Sequence, residues 1–143
     1  MPKTSERSLL LLDTHVWLWE ILAIGNLSLA ARSAINSAAV DGRLRLSIMS
    51  IWEVALLSSQ NRVDLPKPIA SWIDEALARS RVTIEPLSPP IAIESCQLPG
   101  GFRSDPADQI IVATARVTEA ALMTRDRRIL DYAAGGNVTA RPA

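Results

Sequence analysis

A parallel β-sheet covered on both faces by helices, an α/β sandwich, is the fold the sequence predicts. Short apolar runs alternate along the chain with longer amphipathic stretches, the pattern of repeated strand–helix units. The 143 residues suffice for one domain, spanning 1–143 with its core at about 8–134, and not for two. With 48% apolar and 21% charged residues the composition is that of an ordinary globular protein. No run approaches the ~18 apolar residues of a membrane span.

The elements follow in order. SLLLLD at 8–13 reads as a buried strand and THVWLWEILA after it as a helix. Ser28 caps a second helix, LAARSAINSAAVDG, which Gly42 closes. LRLSIM at 44–49 is the next strand, and SIWEVALLSSQ forms a helix starting near Ser50. NRVDLPKP is a loop, because Pro66 and Pro68 break any regular element. Pro68 opens IASWIDEALARS, whose Ile69, Trp72, Ile73, Ala76 and Leu77 fall at helical spacing. VTIEPL at 82–87 is a third strand, PPIAIESCQL a short helix and LPGGFRS a turn-rich loop. From Asp105 the helix DPADQIIVATARVTE leads to the strand ALMT; RDRRILDYAAGG is a glycine-stopped helix and NVTA a last short strand.

The rarest residues exclude the most chemistry. His15 is the only histidine and Cys96 the only cysteine, too few for a structural zinc site. No nucleophile sits in a recognisable elbow, and no glycine-rich phosphate loop occurs. A single cysteine permits no intrachain disulfide, which points to a reducing cytoplasm, and MPKTSERS lacks the apolar stretch of a secretory signal. Fifteen basic and fifteen acidic residues leave a formal charge of zero, which neither supports nor excludes a nucleic-acid partner. Enzymatic chemistry, if present, falls on the carboxylates, and clustered carboxylates call for a hard divalent ion.

The placement of the acids is the functional signal. Asp13 ends the first strand, Glu53 lies one helical turn after the second, and Asp126 follows ALMT by two residues. Asp105 and Asp108 occupy the first turn of the long helix. In a parallel sheet all strand-end positions share one edge, where ligands bind, so acids scattered in sequence converge there. Carboxylates brought together repel and raise one another's pKa; Mg²⁺ or Mn²⁺ removes that penalty, polarises a phosphate and activates a water. Each acid also has a capping reading: Asp13, Asp105 and Asp126 as helix N-caps, and Ser50 with Glu53 as a capping box. His15 packs or hydrogen-bonds near the site rather than acting as a base, and the tryptophans Trp17, Trp19, Trp52 and Trp72 serve mostly as core.

Four blocks, LLLLDTHVWLW, SIMSIWEVALLSSQNRVDL, SPPIAIESCQLPGGFRSDPADQIIVATA and ALMTRDRRIL, resemble in order and spacing those of PIN-domain proteins of the VapC toxin type. The resemblance covers about residues 8 to 134. It implies an α/β/α sandwich, Mg²⁺- or Mn²⁺-dependent endoribonuclease activity, and neutralisation by a small VapB-like antitoxin that also binds operator DNA. It matches Asp13, Glu53, Asp108 and Asp126 to the family's four acids, Asp105 to an extra acid of the D-P-x-D subgroup, and Thr124 to the hydroxyl residue of the fourth block. It implies that Asp13 and Asp108 hold the metal most directly while Glu53 and Asp126 complete its shell. Two positions depart from the subgroup, Arg103 where a histidine is common and Gln109 where an arginine is, which bears on substrate preference and rate. Arg125-Asp-Arg-Arg128 is a solvated helix start or a holder of RNA phosphates. Homodimerisation is expected through apolar residues on the helices at 28–40 or 50–60. The rival readings are a catalytically silent binding module with the same pocket and an aspartate-nucleophile phosphatase, which has His15 where a second acid belongs.

Overall fold

Strand β1 (Leu10–Leu12) is the centre of a five-stranded sheet in the computed structural model, which describes residues 8–143. On one side β1 pairs with β2 (Leu44–Ser47), which pairs with β3 (Thr83–Glu85). On the other it pairs with β4 (Ala121–Thr124), which pairs with β5 (Ala140–Pro142). Every pairing is parallel, so each needs a crossover. Helices α1 (Thr14–Leu22), α2 (Leu29–Val40), α3 (Ile48–Ser59), α4 (Ile69–Ser80), α5 (Pro89–Ser95), α6 (Pro106–Thr118) and α7 (Arg127–Ala134) lie between the strands.

Alternation along the strands divides the interior into two cores. Leu10, Leu12, Ala121 and Met123 face one side, with Trp17, Ile35, Val54 and Trp72 of α1–α4. Leu11 and Leu122 face the other, with Ile91, Ile111, Val112 and Ile129 of α5–α7. The three layers are the expected α/β/α sandwich. Trp17 is wholly buried and meets Trp72 edge-on at 5.7 Å, and its indole nitrogen donates to Ser80 Oγ at 3.1 Å. A buried indole without an acceptor would be a desolvated donor, so Ser80 makes that position tenable.

Local chemistry sets the ends of the elements. After α2, Gly42 adopts φ +71°, which lets Arg43 N reach back to Ala38 O at 2.8 Å before β2 begins. Two boundaries differ from the sequence reading. The second strand stops at Ser47, because the Ser47 side chain accepts from Met49 N (3.0 Å) and starts α3 at Ile48 rather than near Ser50. The last strand is Ala140–Pro142 rather than NVTA: the Asn137 carbonyl is taken by Arg116 and Val138 packs into the second core, so pairing with β4 begins later.

Candidate active site

From β1 the chain adds β2 and β3 on one side, then returns to place β4 on the other. The helix after β1 and the helix after β4 pack on opposite faces, and the crevice between two such helices is where open α/β sheets bind ligands. Asp13 lies at this point. Its amide donates to Met123 O (3.0 Å), and its nearly buried carboxylate caps α1 by accepting Thr14 N at Oδ1 (2.8 Å). Oδ2 accepts from Thr124 Oγ1 across the crevice at 2.6 Å. Thr124, wholly buried at the end of β4, accepts Asp126 N at the same oxygen (2.9 Å).

The other acids arrive from α3, α6 and α7. Glu53 Oε1 accepts from Thr14 Oγ1, so the 2.8 Å contact of that hydroxyl with the buried Ser50 is donated by Ser50. The capping-box reading therefore fails: Ser47 caps α3, and Glu53 reaches across to α1 instead of back along its own helix. Asp105 caps α6 by accepting Asp108 N (2.9 Å), and Asp108 Oδ2 accepts from Ser104 Oγ (2.7 Å). Asp126 caps α7 through Arg128 N (2.9 Å), while Arg128 Nη2 reaches both Asp126 Oδ2 and Asp108 Oδ2 at 3.2 Å. Carboxylate oxygens of Glu53, Asp105 and Asp108 lie within 4.8 Å of one another, the group of acids among the described residues able to hold one metal ion. Asp13 and Asp126 stand outside that trio, on the β1 and β4 side of the same cluster.

The electrostatics follow from this crowding. Burial pushes the Asp13 carboxyl above its ordinary range, against the lowering by the Thr124 and Thr14 bonds. Glu53 and Asp108 are likewise raised, first by burial and further by the neighbouring acids, Asp13 and Asp105 acting on both. Burial acts in the same direction on Asp126, but the bonds and charge of Arg128 outweigh it and hold that carboxyl below its ordinary range. Capping and clustering are compatible here. Asp13, Asp105 and Asp126 each cap a helix, and α1, α6 and α7 thereby point their positive N-terminal ends at one place, which partly offsets the repulsion.

Thr14, Ser104 and Arg128 as holders of the acids, and Ser50 as the partner of Thr14, were not singled out by sequence. The signal for Thr14, Ser50 and Ser104 is a small hydroxyl residue one, three or four positions from a site acid. Gln109 ties the loop before α6 to α5, its Oε1 accepting Ser104 N (3.1 Å) and its Nε2 donating to Ser95 O (2.9 Å). Arg103 and His15 are exposed. Of the tryptophans, Trp17 and Trp72 are core, Trp19 is half-buried, and Trp52 is 53% exposed, so the core reading fails for Trp52. It lies one turn from Ile48 and Leu56, also exposed, on the outer face of α3. Among the described residues no helix is long and apolar enough to cross a membrane.

The profile of the PIN domain matches residues 10–135, nearly the whole chain. The chain belongs to the PIN-domain family. This PIN domain is 36% identical over 122 residues to ribonuclease VapC22 of Mycobacterium tuberculosis, covering 85% of this chain and 90% of that protein. Among solved structures it is similar to a chain of the DNA-bound VapBC complex from Salmonella typhimurium, with a TM-score of 0.69 at 17% identity over 94% of this chain and 98% of that one. It is also similar to a chain of VapBC2 from Rickettsia felis bound to a promoter DNA fragment, with a TM-score of 0.64 at 17% identity over the same shares of the two chains. At such identities the structures bear on the fold, which is that of the PIN domain.

Proposed function

We propose that this PIN domain is a divalent-metal-dependent endoribonuclease acting as the toxin of a toxin–antitoxin pair. The observation that carries the reading is the convergence of Glu53, Asp105 and Asp108 within 4.8 Å beside the buried Asp13. Such an array, supplied from three places in the fold, has a raised proton affinity that a cation or protons relieve. The donors are all oxygens, without histidine or thiolate, which suits Mg²⁺ or Mn²⁺ and not a softer ion. Glu53, Asp105 and Asp108 would hold the ion, with Asp13 and Asp126 flanking it. When bound, such an ion polarises a phosphodiester and lowers the pKa of a water.

The residues themselves supply orientation and proton handling. Thr124 and Thr14 hold both oxygens of Asp13, so its carboxylate cannot turn away. Thr14 engages only Oε1 of Glu53, leaving Oε2 to take the proton of an attacking water; burial raises this carboxyl above its ordinary range and so makes it the more basic. Arg128, on Asp108 and Asp126, adds the positive charge that these acids lack otherwise.

Incubation with RNA in Mg²⁺ or Mn²⁺ should give discrete cleavage products, and EDTA should abolish them. Absence of cleavage with either metal would sink the nuclease reading. The antitoxin is proposed from the VapBC complexes among the structural neighbours, with operator DNA bound through that antitoxin. Co-expression with the gene product encoded immediately upstream should yield a complex that no longer cuts RNA. A homodimer through the exposed apolar residues of α2 or α3, such as Leu29 and Trp52, belongs to the same proposal and is read by light scattering.

Thr124→Val offers a finer test, because one hydroxyl serves both Asp13 and Asp126. Its loss leaves the Asp126 amide without its acceptor and frees Asp13 to rotate. Cleavage is expected to fall about tenfold and stability by about 1–3 kcal/mol. Thr124→Ser, which restores the hydroxyl, should recover most of both.

A further inference from the structure

The three arginines that follow β4 have different fates. Arg128 is spent on Asp108 and Asp126, and Arg127 is exposed on the first turn of α7. Arg125 is exposed but oriented. Its guanidinium carbon lies over the Trp19 ring at 5.0 Å, and its Nε donates to the Ala143 carbonyl at 3.1 Å. Among the described residues neither terminal nitrogen has an acceptor, which leaves both to an outside one. A guanidinium held over an aromatic ring, with its outer edge free, is positioned to take a phosphate with two parallel bonds.

The support under Arg125 is itself built. Trp19 is half-buried, and the loop after α1 closes directly on its ring: a Cβ on Gly25 would sit 2.8 Å from the ring, and Gly25 has φ +76°. Only glycine meets both demands, left-handed backbone and no side chain. One turn earlier on α1, His15 continues the aromatic face, exposed, with its ring 6.1 Å from that of Trp19. In the chain Arg125 stands between Thr124, which holds Asp13, and Asp126. An anion on Arg125 is therefore one residue along the chain from Asp126 and from the threonine that holds Asp13.

We propose that Arg125, seated on Trp19 and flanked by His15, is the anchoring subsite for a backbone phosphate of single-stranded RNA whose adjacent phosphodiester enters the carboxylate cluster. This rests on the nuclease reading above. The subsite gives affinity and register without reading sequence, as phosphate contacts do. The aromatic face of His15 and Trp19 lies where a neighbouring base can stack.

The test is binding of a fluorescently labelled oligouridylate in EDTA over a salt series, with KM and kcat for its cleavage in Mn²⁺. Arg125→Ala should raise Kd and KM about tenfold, the effect of one charge-assisted contact, with kcat little changed. The slope of log K against log salt should fall by about 0.7, the value for one phosphate on a single strand. Arg125→Lys keeps the charge but not the flat, seated fork, and should fall between the two. Gly25→Ala, which displaces the Trp19 ring, should reproduce part of the loss, as should Trp19→Phe should Gly25→Ala fold poorly. Arg127→Ala removes the same charge from an unseated arginine and should change KM less than twofold. Should Arg125→Ala keep the wild-type KM and salt slope while the wild type cuts RNA, or should Arg127→Ala lose as much, the subsite is overturned and the nuclease reading stands. A wild type that neither binds nor cuts RNA overturns both.

Discussion

Asp13→Ala is expected to lower RNA cleavage by about a hundred- to a thousandfold while leaving the protein folded, a loss of the size seen when one preorganised polar group is removed from an active site. Asp13 is nearly buried at the crevice between the helices after β1 and β4, with its two oxygens held by Thr14 and Thr124. No other acid follows β1 within reach of that position. The structural effects are smaller: α1 loses its cap, worth about 1 kcal/mol, and the Thr124 hydroxyl loses an acceptor, worth about as much. Removal of a desolvated carboxylate offsets part of this. Against a domain stability of about 5–15 kcal/mol the variant remains folded, which circular dichroism checks. Asp13→Asn separates the roles, because asparagine caps as well as aspartate but carries no charge, and it should be nearly as inactive. A folded Asp13→Asn cutting at the wild-type rate would leave Asp13 as a cap and remove it from the mechanism.

Mn²⁺ is expected to raise the melting temperature by about 5–10 °C at a hundredfold excess over its dissociation constant, since an ion that binds only the folded state stabilises it by mass action. The physical source is the raised proton affinity of Asp13, Glu53 and Asp108. A carboxyl whose folded pKa lies above its unfolded value binds more protons folded than unfolded, so stability falls as pH rises from the unfolded value through the raised one. Asp126, held low by Arg128, acts in the opposite sense, its contribution being lost as pH falls. With three of the site acids raised and one lowered, the site should make the metal-free protein melt at lower temperature at pH 7 than near pH 5, and Mn²⁺ should reduce that difference. Asp108→Asn should raise the metal-free melting temperature by roughly 2–4 °C and weaken the response to Mn²⁺. Asparagine still accepts from Ser104, and the cap from Asp105 to the residue-108 amide is unaffected, so the charge and its exposed pairing with Arg128 are the main change. A wild-type melting curve indifferent to Mn²⁺ and to pH would leave these acids with structural roles alone.

The alternation of short apolar runs with amphipathic stretches determined the layered parallel fold, because a strand buried on both faces reads as a continuous apolar run such as Leu10–Leu12. The same pattern placed Asp13 and Asp126 on one edge, since parallel strands end together. The ends of elements were less legible. Whether Ser47 or Ser50 starts α3 depends on which hydroxyl is free to cap, and Ser50 is engaged by Thr14, 36 residues away in sequence. Glu53 shows the limit most clearly: S-x-x-E satisfies a local rule, and only the packing of α1 against α3 turns its carboxylate towards Thr14.

What the sequence by itself determined is the inventory, oxygen donors without histidine or thiol partners, and the edge of the sheet at which they gather. What the tertiary structure decided is the grouping within that edge. It drew Asp105, an accessory by resemblance, into the trio with Glu53 and Asp108, and gave Asp126 to Arg128. It also separated Arg125 from Arg127 and Arg128, which adjoin it in sequence, by seating one of them on Trp19. The reason is the range of the forces. Hydrophobic periodicity is local and repeats along the chain, whereas a hydrogen bond or a charge pair acts over a few ångströms between residues that only the folded chain makes neighbours.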